Sequence, residues 1–523
     1  MTIQELFALL FFAFSAVALL TGFPVAFSLG GVSLIFAGIG YSLGLFDPSF
    51  LGFYPERIFG IITNEVLVAI PLFVAMGVIL ERSKVAEELL YSMARLMGKI
   101  PGGLGISVTI VGALLAASTG IVGATVVAMG LVSLPLMLRN GYSKPLACGS
   151  IASAGTLGQI IPPSTVLILL GDALSPAYQQ AQLKAGNFSP EPLSVGDLFA
   201  GGLLPGLMLA GLYIVLQLIV AIIWPKSSPP IQRADGDDGA PSWAGLLRAL
   251  ISPLLLIFAV LGSIIAGVAT PTEAASVGAV GATFLAGMKC DPRWNRPIML
   301  GLVALVALLI LRGFVDLRVT LSDKSVGTWV AIAAACVLSL MTVGSLMISF
   351  AKLHAQKLLA PTFQSTVKIT SMIFSIMIGA ALFSLVFRGM GGDDIVHDFL
   401  TGLPGGLIAV TFVVLAVMFV LGFFLDIVEI IYIVVPLVAP VLFFMGAQPI
   451  WLGIMMCLIL QTSFLTPPFG FSLFYLKGVA PPEIKTTDIY KGIAPFVGIQ
   501  LLALVMIWIW PGIVTWLPNL MNN

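Results

Sequence analysis

The feature that most constrains this chain is one ordered pattern that occurs twice. Toward the C-terminal end, Leu403-Pro404-Gly405-Gly406-Leu407 opens an apolar run to Gly422. The run breaks at Phe423-Phe424-Leu425-Asp426-Ile427-Val428-Glu429 and resumes through Pro436 to Phe444. A further apolar segment carries Gln461-Thr462-Ser463 and then Thr466-Pro467-Pro468-Phe469-Gly470. In the first half, Ile100-Pro101-Gly102-Gly103-Leu104 leads an apolar run to Ser118-Thr119-Gly120. A return run through Pro135 follows, then Thr156, Gln159 and Pro162-Pro163-Ser164-Thr165. The runs beside each break are short or marginal for a bilayer-spanning helix, which takes about 20 residues. Short or Gly/Pro-interrupted apolar segments at matching places in two halves point to the site of a secondary transporter. The pattern predicts two re-entrant hairpins, near 105–138 and 406–445, each followed by a helix broken at Pro-Pro.

With 59% hydrophobic and 9% charged residues and a mean hydropathy of +1.10, a soluble globular chain is excluded. Formal net charge is zero, and no basic cluster suggests a nucleic-acid partner. Met1 to Gly44 carries Glu5 and no Lys or Arg, unlike a signal peptide, and reads as two spanning helices parted near Gly22-Phe23-Pro24. Further spans fall near 66–82, 146–172, 199–224, 246–268, 273–288, 297–313, 328–351, 369–387, 450–476 and 492–515. Cys148, Cys290, Cys336 and Cys457 lie at scattered spacing in or beside apolar segments, which suits buried small residues rather than disulfides or a metal motif.

The domain reading follows. Residues 1–65 are N-terminal scaffold helices, 66–224 the first repeat, and 225–245 a cytoplasmic linker. Residues 246–365 are scaffold helices with an extra pair in 289–357, and 366–517 the second repeat. Orientation comes from Lys/Arg bias in short loops. Arg82, Lys84, Arg95 and Lys99 precede the first hairpin and Arg139 and Lys144 follow it, so its feet belong in the cytoplasm. Asp393, Asp394 and Asp398, with Arg388, precede the second, and Gly446-Ala447-Gln448 follows it, so that hairpin enters from outside. The loop from Asp172 to Asp197 also comes out outside. The fold class is therefore an all-α polytopic membrane protein with inverted structural repeats. Pro205 and Trp224 on one closing helix echo Pro495 and Trp510 on the other.

Asp426 and Glu429 stand deep in apolar sequence, where a carboxylate costs roughly 2.5–3.5 kcal/mol on insertion scales and faces a cavity, a partner or an ion. Neither hairpin nor broken helix contains a Lys or Arg to pair with them, so a bound cation is the simplest partner. A helix cap at the turn is the alternative for Asp426 and does not exclude an ion. For Glu429, which lies on about the same helix face, the alternative is a structural hydrogen bond. Ser118, Thr119, Gly120 and Gly123 make the matching turn, where carbonyls and hydroxyls are hard ligands of the kind Na⁺ accepts. Packing by small residues is the alternative there. Aligned through Pro135 and Pro436, Thr125 falls where Asp426 stands.

Pro162-Pro163 and Pro467-Pro468 remove backbone donors, and unwound backbone at bilayer depth is tolerated where it lines a cavity or is buried in protein. The free amides of the half-helices beyond them suit an anion. Gln159, Ser164, Thr165, Gln461, Thr462, Ser463 and Thr466 are candidate polar lining, with packing or a helix back-bond as the alternative for each. Enzyme readings are poorly fed: His354 and His397 fall in loops, and no Walker A sequence is present.

The chain resembles the large membrane subunit of the TRAP (tripartite ATP-independent periplasmic) transporters, the DctM-like family. The resemblance rests on Ile100-Pro-Gly-Gly-Leu104, Ser118-Thr-Gly120, Gln159-Ile-Ile-Pro-Pro-Ser164, Thr270-Pro-Thr-Glu-Ala-Ala275, Phe424-Leu-Asp426 and Leu465-Thr-Pro-Pro-Phe469. It implies a Na⁺-driven importer of small organic acids in the bacterial inner membrane, with an elevator-type moving domain. Its partners would be the lipid bilayer, a small four-helix membrane subunit and a periplasmic substrate-binding protein. The implied Na⁺ ligands are Ser118, Thr119, Gly120, Gly422, Asp426 and Thr466. The implied substrate lining is Thr125, Gln159, Pro162, Pro163, Ser164, Glu429, Gln461, Thr462, Ser463, Pro467 and Pro468. Many family members carry Ser-Gly-Ser and a later Asp in the first hairpin, where this chain has Thr119-Gly120-Ile121 and Thr125. The longer loop 175–196, the helices of 289–357 and Asp426-Ile-Val-Glu429 resemble the branch linked to mannitol/chloroaromatic or 2-oxo acid transport. A single-chain Na⁺/dicarboxylate or arsenite-type transporter is the alternative, and an intramembrane enzyme a third.

Overall fold

The computed structural model describes residues 2–83, 85–98, 100–120, 122–231, 243–290, 295–315, 317 and 326–521, with backbone alone at 85–87, 116–119, 243–250 and 252. The described residues form helices and no strand. The first are α1 (Ile3–Leu20), α2 (Val25–Ser42), α3 (Tyr54–Thr63), α4 (Ala69–Arg82) and α5 (Val85–Met97). The first hairpin is α6 (Gly103–Thr119) and α7 (Val122–Arg139). Then come α8 (Lys144–Thr156), a 3-10 turn at Leu157–Gln159, α9 (Thr165–Lys184) and α10 (Val195–Ile223). The middle of the chain supplies α11 (Trp243–Ile265), α12 (Pro271–Cys290), α13 (Asn295–Phe314), α14 (Val326–Ala355), α15 (Leu359–Gly389) and α16 (Gly392–Thr401). The second hairpin is α17 (Gly406–Leu421) and α18 (Ile427–Phe444), followed by α19 (Pro449–Leu465), α20 (Phe471–Val479), α21 (Thr486–Ile509) and α22 (Gly512–Met521). Nine described helices are long and apolar enough to cross a bilayer. The chain is an all-α polytopic membrane protein.

The breaks fall where the backbone chemistry dictates. α8 ends before Pro162-Pro163 and α19 before Pro467-Pro468, because proline lacks the amide and disfavours helix in the residue before it. The hairpin arms are 16 to 18 residues long, about 24–27 Å at 1.5 Å per residue, against a hydrocarbon core of about 30 Å.

The two halves pack in exchange. α9 lies on α18 while α7 lies on α20; α8 lies on α21 while α10 lies on α19. α8 also meets α19, and α10 meets α21, so equivalent helices face each other, as a pseudo-two-fold axis requires. Thr156 and Gln461, 305 residues apart, meet near that axis, the Gln461 Nε2 donating to Thr156 Oγ1 at 3.4 Å. The same step of 305 carries Pro162 onto Pro467 and the first residue of α7, Val122, onto the first of α18, Ile427. This corrects the alignment through Pro436: Pro135 matches Pro440, Thr125 matches Ile430, and the counterpart of Asp426 is position 121, outside the described residues. One proline was mistaken for another because α18 holds both Pro436 and Pro440.

Around the hairpins and broken helices stand the other helices, α4 and α15 among them although α4 and most of α15 fall within the repeats. α1, α2 and α15 interlock through Phe7, Phe11, Phe36, Phe383 and Phe387, with Phe11 and Phe383 ring centroids 4.9 Å apart. α4 packs against α12 and α15, and α13 and α14 pair with each other beside α12. The Thr270-Pro-Thr-Glu motif is the capping box of α12: Thr270 N–H donates to Glu273 Oε2 (3.0 Å) and Glu273 N–H to Thr270 Oγ1 (3.2 Å). α4 reaches α6 and α15 reaches α18, which brings the surrounding helices onto both hairpins.

Other expectations are corrected. α9 runs to Lys184, so Asp172 is a helix residue and the following loop is shorter than 175–196; Ala-Tyr-Gln-Gln-Ala-Gln-Leu-Lys after Pro176 is good helix sequence. α3, α5 and α16 are short helices that mix polar with apolar residues, and so carry no apolar-span signal in the sequence. Of the cysteines, Cys148 and Cys457 are buried, Cys290 is intermediate and Cys336, on α14, is exposed. Asp235, Asp237 and Asp238 of the linker lie outside the described residues.

Candidate functional site at the hairpin turns

The second hairpin turns at Asp426, which is the N-cap of α18 in extended conformation. Its Oδ1 accepts from the Ile427 amide at 2.8 Å, and its side chain also accepts from the amide of Glu429. Glu429 Oε2 in return accepts from the Asp426 amide at 3.1 Å. The four-residue spacing Asp-Ile-Val-Glu thus folds as a capping box, satisfying amides that hydrocarbon would leave bare. Glu429 is buried, engaged in this cap, and does not border the cavity between the two turns.

The first hairpin turns at Gly120, with φ +60°, a conformation that a residue with a Cβ adopts only at a cost. A Cβ there would also stand 2.9 Å from Thr165 Oγ1, the first residue of α9. The side chains of Ser118 and Thr119 lie outside the described residues. Gly422 is glycine for a similar reason: a methyl group would overlap the Ser463 hydroxyl, so the second hairpin sits directly on α19.

A cavity of about 400 Å³ lies between these turns. Gly120, Gly123 and Ala124 border it from the first turn, Gln159 and Thr165 from the first break, and Asp426, Ile427 and Val428 from the second turn. Phe464 and Tyr475 close it from α19 and α20, and Val74 on α4 with Ile369, Met372 and Ile373 on α15 form the opposite wall. Among the described residues Asp426 is its one charged side chain, and no Lys, Arg or His borders it. The buried Gln159 Oε1 and Thr165 Oγ1 have no hydrogen-bond partner among the described residues, and neither has Gln461 Oε1 beside the axis. Unpaired hard oxygens about a carboxylate suit a cation such as Na⁺.

Of the residues singled out in the sequence, Gly120, Gly123, Gln159, Thr165 and Asp426 meet in this cavity. Several others serve the frame around it. Ser164 Oγ donates to the Gln159 carbonyl (2.5 Å) and accepts from the Leu167 amide (3.3 Å), capping α9 and tying up an amide expected to be free for an anion. Cys457 Sγ reaches the same carbonyl at 3.2 Å. Thr462, Ser463 and Thr466 back-bond to Leu458, Leu460 and Thr462 within their own helix. Thr125 is buried on α7, and Pro162, Pro163, Pro467 and Pro468 shape the breaks without bordering the cavity.

Sequence reasoning missed Tyr475 and the α4 and α15 wall, which carry no local signal. It also missed Asp172 on α9, whose Oδ1 accepts from Asn64 Nδ2 (2.6 Å) and whose Oδ2 accepts from Tyr432 OH (2.8 Å). A lone acid following Leu167-Ile-Leu-Leu-Gly171 was the available signal.

The profile of the tripartite ATP-independent periplasmic transporter DctM component matches residues 12–298 and 289–513. The chain belongs to that family. The C4-dicarboxylate TRAP transporter large permease protein DctM of Vibrio cholerae is 30% identical, over 96% of this chain and 95% of its own. The sialic acid TRAP transporter large permease protein SiaM of the same organism is 24% identical, over 96% of each. The solved structure of the Alcanivorax borkumensis YdaH transporter matches with a TM-score of 0.52 at 15% identity, over 97% of this chain and 98% of that one, a likeness of fold alone. As a DctM-family chain with nine candidate spans, this is a large permease subunit of the inner membrane.

Proposed function

We propose that this permease drives import of small organic acids with a Na⁺ gradient, receiving them from a periplasmic binding protein and working in complex with a small four-helix membrane subunit. The observation that carries the reading is the cavity between the hairpin turns, whose single charge among the described residues is Asp426, with no basic side chain there to offset it. An organic anion entering such a site needs cations to accompany it, and Na⁺ supplies them. Ser118, Thr119, Gly120, Gly422, Asp426 and Thr466 are the proposed ligands, with Gln159 and Thr165 among the lining. The relatives named for C4-dicarboxylates and sialic acid support an acid as cargo.

The hairpins and broken helices of the two repeats meet α4 and α15 at this cavity, which supports an elevator in which they move against a scaffold and the hairpins are re-entrant. α13 and α14, without counterpart in the first half, belong to the scaffold side. The test is uptake in proteoliposomes. Accumulation that requires inward Na⁺, the small subunit and the binding protein is expected; uptake by this chain alone would favour a single-chain symporter, and uptake under a proton gradient without Na⁺ would overturn the coupling.

A further inference from the structure

A second cavity, of about 380 Å³, lies between α3, α9, α15 and α18. Charge divides it from the first. Among the described residues the Asp426 cavity holds an acid and no base, whereas this one is bordered by Arg57 and Arg388, with Gln180, Ser384 and Tyr432 as further polar residues. Its acid, Asp172, has both oxygens occupied by Asn64 and Tyr432. The two arginines differ in what they hold. Arg388 Nε stands 2.6 Å from Asp393 Oδ2. Arg57 is half-buried and makes no hydrogen bond or ion pair among the described residues; the charges that act on it are those of Arg388 and Asp393. Two adjoining hollows share Arg388, and the second shares Arg57 as well. One adds Lys184, His397, Asp393 and Asp394, and the other adds Glu56 with Phe50 and Phe53. Arg388 therefore stands where three hollows meet, on the side where α16 was read as external.

A guanidinium drawn partly out of water without a partner is costly, and its planar fork of donors fits a carboxylate in two parallel bonds. We propose that this cavity is an entry site that takes the carboxylate of the transported acid on Arg57, with Arg388 beside it, before the solute reaches the Asp426 cavity. The proposal rests on the reading that the cargo is an organic acid. Gln180 and Ser384 are placed to take the remaining oxygens. A lipid phosphate is the other source of an anion for the same guanidinium.

The test uses the full-length chain extracted with its membrane partners in detergent. Thermal unfolding is followed against succinate and pyruvate, against their neutral amides, and against phosphatidylglycerol in mixed micelles, all in K⁺ without Na⁺. Stabilisation by an acid and not by its amide is expected. Arg57→Gln should raise the midpoint for the acid about tenfold or more, the loss of one charged hydrogen-bonding partner, with Arg57→Lys between. Stabilisation by Na⁺, titrated separately without acid or lipid, should survive both changes. The proposal is overturned if the acid midpoint is unmoved by Arg57→Gln, if only phosphatidylglycerol stabilises, or if Na⁺ stabilises and neither acid does. Uptake separates the two readings: acid uptake with an unchanged KM in Arg57→Gln sinks the entry site alone, whereas failure of the intact complex to take up any acid sinks the cargo reading beneath it.

Discussion

Glu429 and Asp426 hold each other's backbone: Glu429 Oε2 accepts from the Asp426 amide at 3.1 Å, and the Asp426 side chain accepts from the Glu429 amide in return. The reciprocal bond closes the N-terminus of α18 beside a cavity in which Asp426 is the only charge among the described residues. Capping and ion binding are thus demands on one carboxylate, and substitutions separate them.

Asparagine caps a helix about as well as aspartate. Asp426→Asn should therefore fold with a melting temperature in K⁺ close to the parent's, yet lose stabilisation by Na⁺ and Na⁺-driven uptake. Melting temperature against Na⁺, with K⁺ holding ionic strength constant, is the measurement. An unchanged Na⁺ midpoint would leave the residue a cap and nothing more. Thr125→Val, one helical turn along from the turn in α7 and not the counterpart of Asp426, should move the Na⁺ midpoint less.

Glu429 should behave as structure. Glu429→Ala removes one arm of the capping box and should cost about 1 kcal/mol, whereas Glu429→Gln keeps an acceptor for the Asp426 amide and should cost less. Both should retain Na⁺-dependent uptake. Loss of uptake in a normally stable Glu429→Gln would give the carboxylate a direct role.

At Gly120, a side chain meets two obstacles. Gly120→Ala forces an L-residue into φ +60°, costing about 1–2 kcal/mol, and brings its Cβ within 2.9 Å of Thr165 Oγ1. Thr165→Ala in the same chain removes the contact and leaves the backbone strain, so it should restore part of the lost stability. Full recovery of melting temperature in the double variant would show that the glycine is there for space alone.

Single cysteines in a background lacking the four native ones report orientation. Lys144 and Asp394 are both exposed, at the start of α8 and in α16. An impermeant thiol reagent on intact cells should label position 394 and spare 144. Labelling of 144 alone would reverse the topology.

Residue pattern alone determined the helical, membrane-spanning class, the two hairpins and the two proline breaks. Each rests on local chemistry: apolar length against bilayer thickness, and a missing amide that no neighbour can replace. Asp426 stood out for the same reason, as a charge where none is cheap. Tertiary structure decided what those residues touch. The spacing Asp426-x-x-Glu429 suits an ion site and a capping box equally, and only the folded backbone assigned both carboxylates to helix amides. Register between the repeats was ambiguous while α18 offered two prolines, and was settled by where helices begin and by Thr156 meeting Gln461 across the axis. The cavity wall from α4 and α15, and the bonds from Asn64 and Tyr432 that meet on Asp172, join residues far apart in sequence. Such neighbours are set by how helices pack against one another, and packing between distant segments leaves no local mark.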